Sequence, residues 1–89
     1  MRIAIVILNW NGRSWLERFL PGVVHHSGDA EVVVADNGST DGSVEWLDRQ
    51  PGVRCLRLGA NLGFAGGYNE ALAQVQADRF VLLNSDVDV

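Results

Sequence analysis

Residues 3–8 read Ile3-Ala4-Ile5-Val6-Ile7-Leu8, six apolar residues in succession, four of them β-branched. Alternation with polar residues would mark a strand with one wet face. An unbroken run marks a strand covered on both sides, as in parallel sheets whose crossovers lay helices over each face. Residues 31–35 (EVVVA) and 79–84 (RFVLLN) repeat the pattern, whereas residues 53–58 (VRCLRL) mix charged and apolar side chains and suit an edge strand.

Helical signals fall between these strands. Trp15, Leu16, Phe19, Leu20, Val23 and Val24 recur at helical spacing behind Ser14 and Glu17, which are spaced as a capping box, and Pro21 is expected to kink or divide that helix. A short helix through Val44 and Leu47 stops at Pro51-Gly52. Gly59 to Gly67 reads as a glycine-rich loop, after which Tyr68, Leu72 and Val75 mark one face of a third helix. The order β-α-β-α-β-loop-α-β predicts an α/β fold: a Rossmann-like parallel sheet of about four strands with right-handed crossovers and helices on both faces. Residues 1–89 are expected to form a single unit.

Composition excludes several functions. The chain has 89 residues, 47% hydrophobic and 20% charged, with a formal net charge of -4, the balance of a folded globular protein. All seven basic residues are scattered arginines, so there is no electrostatic footprint for nucleic acid. The absence of lysine disfavours P-loop nucleotide binding and receiver-type phosphorylation. The single cysteine, Cys55, has no internal disulfide partner and reads as a packing residue. The opening apolar run is too short to span a bilayer. A cytoplasmic location is expected, with a peripheral place at the inner face of the membrane left open.

Parallel strands deliver their carboxyl ends to one edge, and ligands of open α/β sheets bind in the crevice there. The polar residues at those ends are Asn9 and Asn11, Asp36 and Asn37, and Asn84, Asp86 and Asp88. Amides and carboxylates so grouped suit a nucleotide. Carboxylates beside a diphosphate require a divalent cation between them, and Mg²⁺ or Mn²⁺ accepts a site with few protein oxygens. Other features have plainer readings: Asp41 as a helix cap, and His25 and His26 as a solvated helix end. Trp10 reads equally as a stacking surface or as a cover for the sheet edge. The GxGxxG of dinucleotide-binding folds belongs directly after the first strand, where this chain has NWNGRS.

Four stretches in order, VILNWNG, VVVADNGSTDGS, NLGFAGGYNEAL and FVLLNSDVDV, resemble the amino-terminal part of a family 2 glycosyltransferase with the GT-A fold, nearest its rhamnosyltransferase-like branch. The resemblance implies an enzyme of cell-envelope polysaccharide biosynthesis. It would transfer a sugar, with inversion, from a UDP- or dTDP-sugar to a saccharide or lipid-linked acceptor, assisted by divalent Mg or Mn. It implies donor contacts at Asn9, Asn11, Asp36 and Asn37, and close passage of Gly63, Gly66, Gly67 and Asn69. Asn84-Ser85-Asp86 falls at the family's DxD, which makes Asp86 the first metal ligand and Asp88 the second. Tyr68 stands where close relatives often carry Asn, which leaves a sugar contact there without support. The acceptor site and general base of such enzymes follow the DxD, so these residues are expected to form the donor-binding half of a longer domain, inactive alone. Its last strand, lacking a neighbour, is expected to self-associate through residues 80–84. A non-catalytic interaction or nucleotide-binding module is the alternative.

Overall fold

A computed structural model describes residues 1–85 and contains the elements β1 (Ile3–Asn9), α1 (Arg13–His25), β2 (Glu31–Asp36), α2 (Ser43–Leu47), β3 (Val53–Arg57), α3 (Gly63–Gln74) and β4 (Arg79–Asn84). The strands form one parallel sheet, as the apolar runs predict, in the order β3-β2-β1-β4. The chain steps from β1 out to β3, then returns past its starting strand to place β4 on the opposite edge. The reversal of direction lies between β1 and β4, where α/β sheets open a crevice.

Strand alternation divides the core in two. Ala4, Val6, Leu8, Val33, Ala35 and Leu56 pack with Tyr68 and Ala71 of α3 and with Val75, the residue that follows it. Ile7, Val32 and Val34 face the other way, onto Leu16 and Leu20 of α1 and Leu47 of α2. Burying each of these leucines contributes about 1.5–3 kcal/mol. The mixed strand β3 lies at one edge, where Arg54 pairs with Glu31 at 3.4 Å and Arg57 with Asp48. The other edge, β4, is unlike it: Phe80, Val81 and Leu82 are 36%, 46% and 47% exposed despite their buried-type sequence.

Two local expectations are corrected, and a third is narrowed. Ser14 and Glu17 do not form a capping box. Gly12 is the N-cap residue of α1, without a side-chain cap of its own. The Arg13 N–H is instead taken by the Asp41 carboxylate at 3.0 Å, and Glu17 pairs with Arg13 Nε at 2.8 Å. Pro21 does not divide α1, which runs on to His25 because Leu16 and Leu20 anchor it on the sheet while the proline ring is exposed. The third helix begins at Gly63, so Gly63 to Gly67 are helical rather than loop. At Gly67 glycine is required by close packing, since a Cβ there would lie 2.7 Å from Leu8 Cδ1 and 3.1 Å from Asn37 Nδ2, whereas Gly63 has open space around it and a φ of +76 that favours glycine.

Candidate nucleotide-binding site

The register brings Asn9 level with Asp36, and Leu8 level with Asn84, at the carboxyl edge of the sheet. Backbone bonds carry the pairing one step beyond the strands, from Asn37 N to Asn9 O at 2.8 Å and from Ser85 N to Leu8 O at 3.1 Å. The ends of β1, β2 and β4 are thereby fixed side by side.

Asn9 is completely buried at the centre of this edge. Its Nδ2 donates to Asp36 Oδ1 at 2.9 Å and to Ser39 Oγ at 3.2 Å, while its Oδ1 accepts from Ser85 Oγ at 2.7 Å. The Asp36 carboxylate also accepts from Ser39 Oγ at 2.6 Å and Ser39 N at 2.9 Å. Ser39 Oγ accepts in turn from Asn11 N at 2.8 Å, and Asn11 Oδ1 from Thr40 N at 2.7 Å. Asn11 holds φ +51, a left-handed conformation that asparagine tolerates better than most residues. The loop after β1 is thus sewn to the loop after β2.

Because side chains alternate along β2, Asn37 faces the opposite side from Asp36. Its Oδ1 accepts from Leu62 N at 2.8 Å, and its Nδ2 donates to Asn61 Oδ1 at 3.2 Å and Gly63 O at 3.1 Å. This amide positions the start of α3 against the sheet edge. Gly66 packs near Leu62, Gly67 seats on Leu8 and Asn37, and Asn69 is exposed on α3. Tyr68 is buried, and its hydroxyl donates to the Leu83 carbonyl of β4; burial raises its pKa. Trp10 is exposed beside the site.

Asp41 has the structural role. Its Oδ2 holds Arg13 N, and its Oδ1 accepts from Ser43 N at 3.0 Å and from Ser43 Oγ. Partial burial pushes its carboxyl upward, but the bonds from Ser43 and Arg13 outweigh this and hold it below the usual value. His25 and His26 contact each other at the end of α1.

The structure therefore gathers Asn9, Asn11, Asp36, Asn37 and the start of α3 at one edge. Asp86 and Asp88, the expected metal ligands, lie outside the described residues. Among the described residues, no group of three or more His, Cys, Asp or Glu could hold a metal. Carboxylate oxygens of the kind that Asp86 and Asp88 offer are the donors preferred by hard divalent cations. No helix among the described residues is long and apolar enough to cross a membrane.

Sequence reasoning passed over Ser39, Ser85 and Gly12. The placement of Ser39 three residues after Asp36 is a recognisable side-chain turn signal. The other two become significant only once β4 is laid beside β1.

The family described as Glycosyl transferase family 2 matches residues 4–89. An N-acetylglucosaminyl-diphospho-decaprenol L-rhamnosyltransferase of Mycobacterium tuberculosis is 37% identical over 75 residues, covering 82% of this chain and 24% of that protein. The uncharacterized glycosyltransferase YfnE of Bacillus subtilis is 32% identical over 92 residues, covering 98% of this chain and 24% of its own length. The chain thus spans about a quarter of these curated relatives. The crystal structure of S. aureus TarS superposes with a TM-score of 0.81 at 22% identity, covering 97% of this chain and 17% of that one.

Proposed function

Since the chain belongs to glycosyl transferase family 2, we propose that it forms the donor-binding half of a transferase that moves a sugar, with inversion, from a UDP- or dTDP-sugar to an acceptor hydroxyl. The observation that carries this reading is the joining of three strand ends, through Asn9, Asp36 and Ser85, at the point where the strand order reverses. The M. tuberculosis relative's name adds the acceptor class, a saccharide linked to a polyprenyl diphosphate.

In this reading the nucleoside lies against the loops after β1 and β2, with Trp10 at its margin and the start of α3 closing the other side. Asp36 and Asn37 shape the pocket as much as they offer contacts, because their polar atoms already hold Asn9, Ser39 and the start of α3. The rigid edge fixes donor orientation before the acceptor arrives, which is the main work of a preorganised site. Asp86, and less directly Asp88, would hold a divalent Mg or Mn that neutralises charge on the departing diphosphate. The general base belongs to the part of the family's length that these residues do not span. A lipid-linked acceptor would place the enzyme at a membrane surface.

Titration calorimetry with UDP, dTDP and their sugars, with Mn²⁺ or with EDTA, tests the proposal. Binding strengthened by Mn²⁺, with that gain abolished in Asp86→Ala, is expected. A folded sample that binds no nucleotide under either condition refutes it.

A further inference from the structure

Asn37 leaves β2 with only 3% of its surface exposed, and its side-chain hydrogen bonds go to three consecutive residues of another loop. Leu62 N donates to its Oδ1 at 2.8 Å, and its Nδ2 donates to Gly63 O at 3.1 Å and to Asn61 Oδ1 at 3.2 Å. Two of these partners are backbone groups, a donor and an acceptor that cannot exchange roles, so the amide has one orientation and both of its N–H groups are used. Asn61 is fixed in turn, because its Oδ1 also accepts from Gly63 N at 2.9 Å. The two loops meet through their backbones as well. Leu58 N donates to Asp36 O at 2.9 Å, and a Cβ on Gly38 would stand 3.0 Å from Ala60 C and from Asn61 N.

The two asparagines have unequal chemical requirements. Asn61 supplies a single oxygen that accepts from both sides, which a carboxylate does equally well. Asn37 must accept on one side and donate twice on the other. With an aspartate in its place, one carboxylate oxygen would keep the Leu62 N–H while the other faced the oxygens of Asn61 and Gly63. Asn61 cannot turn its own amide to relieve this without setting its N–H groups against Gly63 N.

We propose that Asn37 and Asn61 form an amide pair that positions the start of α3, and that the Asn37 side chain acts on the donor through this wall of the pocket. The inference rests on the donor-binding reading above. It makes neutrality the specific demand at the second residue after Ala35, where Asp36 already supplies the carboxylate. Asn37→Asp therefore carries a pH-dependent defect. Its folded-state pKa is raised above the unfolded value, so the defect is complete above the folded pKa and shrinks as pH falls through it. The titratable groups of the surrounding elements do not reverse that sign. Asp36 on β2 and Glu70 on α3 are acidic, burial raises the Tyr68 hydroxyl, Arg57 at the end of β3 is paired with Asp48, and β1 and residues 58–63 carry none.

The test uses the 89-residue chain with Asn37→Asp, Asn61→Asp and Asn61→Ala, each compared with wild type at pH 7.5 and pH 4.5. Ligand-free thermal melts are paired with calorimetry of UDP and dTDP in EDTA, at a temperature where the proteins are folded. At pH 7.5, Asn37→Asp is expected to melt roughly 5–10 °C below wild type and to bind nucleotide about tenfold more weakly, with both deficits shrinking at pH 4.5. Asn61→Asp should match wild type within about twofold, and Asn61→Ala should bind about two- to fivefold more weakly. Weakened binding by Asn37→Asp with melting like that of wild type would make Asn37 a direct contact, and lowered melting with unchanged affinity would make it structural alone; either overturns the inference. Asn61→Asp as damaging as Asn37→Asp overturns it too. Should Asn37→Asp fail to fold at both pH values, Asn61→Ala decides, and an affinity equal to that of wild type overturns the inference. Wild-type protein that binds no nucleotide overturns the donor-binding reading first, a failure seen before any variant is compared.

Discussion

Replacing Asp41 by alanine separates a structural carboxylate from the site beside it. The side chain accepts from the first helical N–H of α1 and from the N–H and hydroxyl of Ser43 at the start of α2, so one residue holds two helix starts. Loss of a helix cap costs about 0.5–2 kcal/mol. Two are lost here, but water reaches this half-buried loop and replaces part of each, so we expect about 1–2 kcal/mol in total. For a domain of this size that lowers Tm by roughly 5–15 °C. The pH dependence has a definite sign. The folded-state pKa is depressed below 3.8, so the cap's contribution is complete above that value and fades as pH falls through the folded pKa. Thermal melts followed by circular dichroism at pH 7 and near pH 3 should show the wild type well above Asp41→Ala at neutral pH and the two converging in acid. Asp41→Asn, which keeps one acceptor oxygen, should fall between them. Equal melting at pH 7, or a gap that persists undiminished in acid, would refute the assignment.

Gly67→Ala gains about 1 kcal/mol in helix propensity but drives a Cβ to 2.7 Å from buried Leu8, and overpacking of about 1–3 kcal/mol should prevail. Urea unfolding should show it less stable than wild type, with Gly66→Ala, whose nearest contact is 3.3 Å, much milder; a stabilised Gly67→Ala would contradict the packing described. Burial, reinforced by Asp36 and Asp48, pushes the Cys55 thiol up from 9.0 to about 11. Its stabilising contribution is present below pH 9 and is lost as pH rises toward 11. Alkylation at pH 8 should be about a hundredfold slower in the folded chain than in urea, and equal rates would count against it. Sedimentation should detect self-association through residues 80–84 that Val81→Lys with Leu82→Lys abolishes; a strictly monomeric wild type at high concentration excludes it.

The layered fold was legible because apolar runs and helical spacing are local signals. The mixed charges of Val53–Arg57 marked an edge strand correctly, and the runs around Val6 and Val33 marked central ones. What failed to show depends on distant partners. The cap of α1 comes from Asp41, so the nearer Ser14 and Glu17 misled. The start of α3 is stabilised by Asn37 and packed through Gly67, so its glycines looked like loop. At the candidate site, strand-end position alone brought Asn9, Asp36 and Asn37 to one edge. That Asn9 is a buried connector, with Ser85 and Ser39 as its partners, depends on register, which no short window of sequence contains.

The order β3-β2-β1-β4 also constrains how the chain can be made. Of the described strands, the inner strand β1 comes first along the chain and its neighbour β4 comes last: Ile3 is level with Arg79, and Arg2 exchanges hydrogen bonds with Asp78. At about 5–20 residues per second, β1 leaves the ribosome several seconds before β4 exists. During that interval β1 can pair with β2 and β3 can join them, while its other side stays open to any passing strand. A binding edge that depends on joining β1 to β4 cannot mature piecemeal. Its donor site would be completed late in the synthesis of this segment, after a vulnerable wait in which a chaperone or a slow codon run could decide the yield.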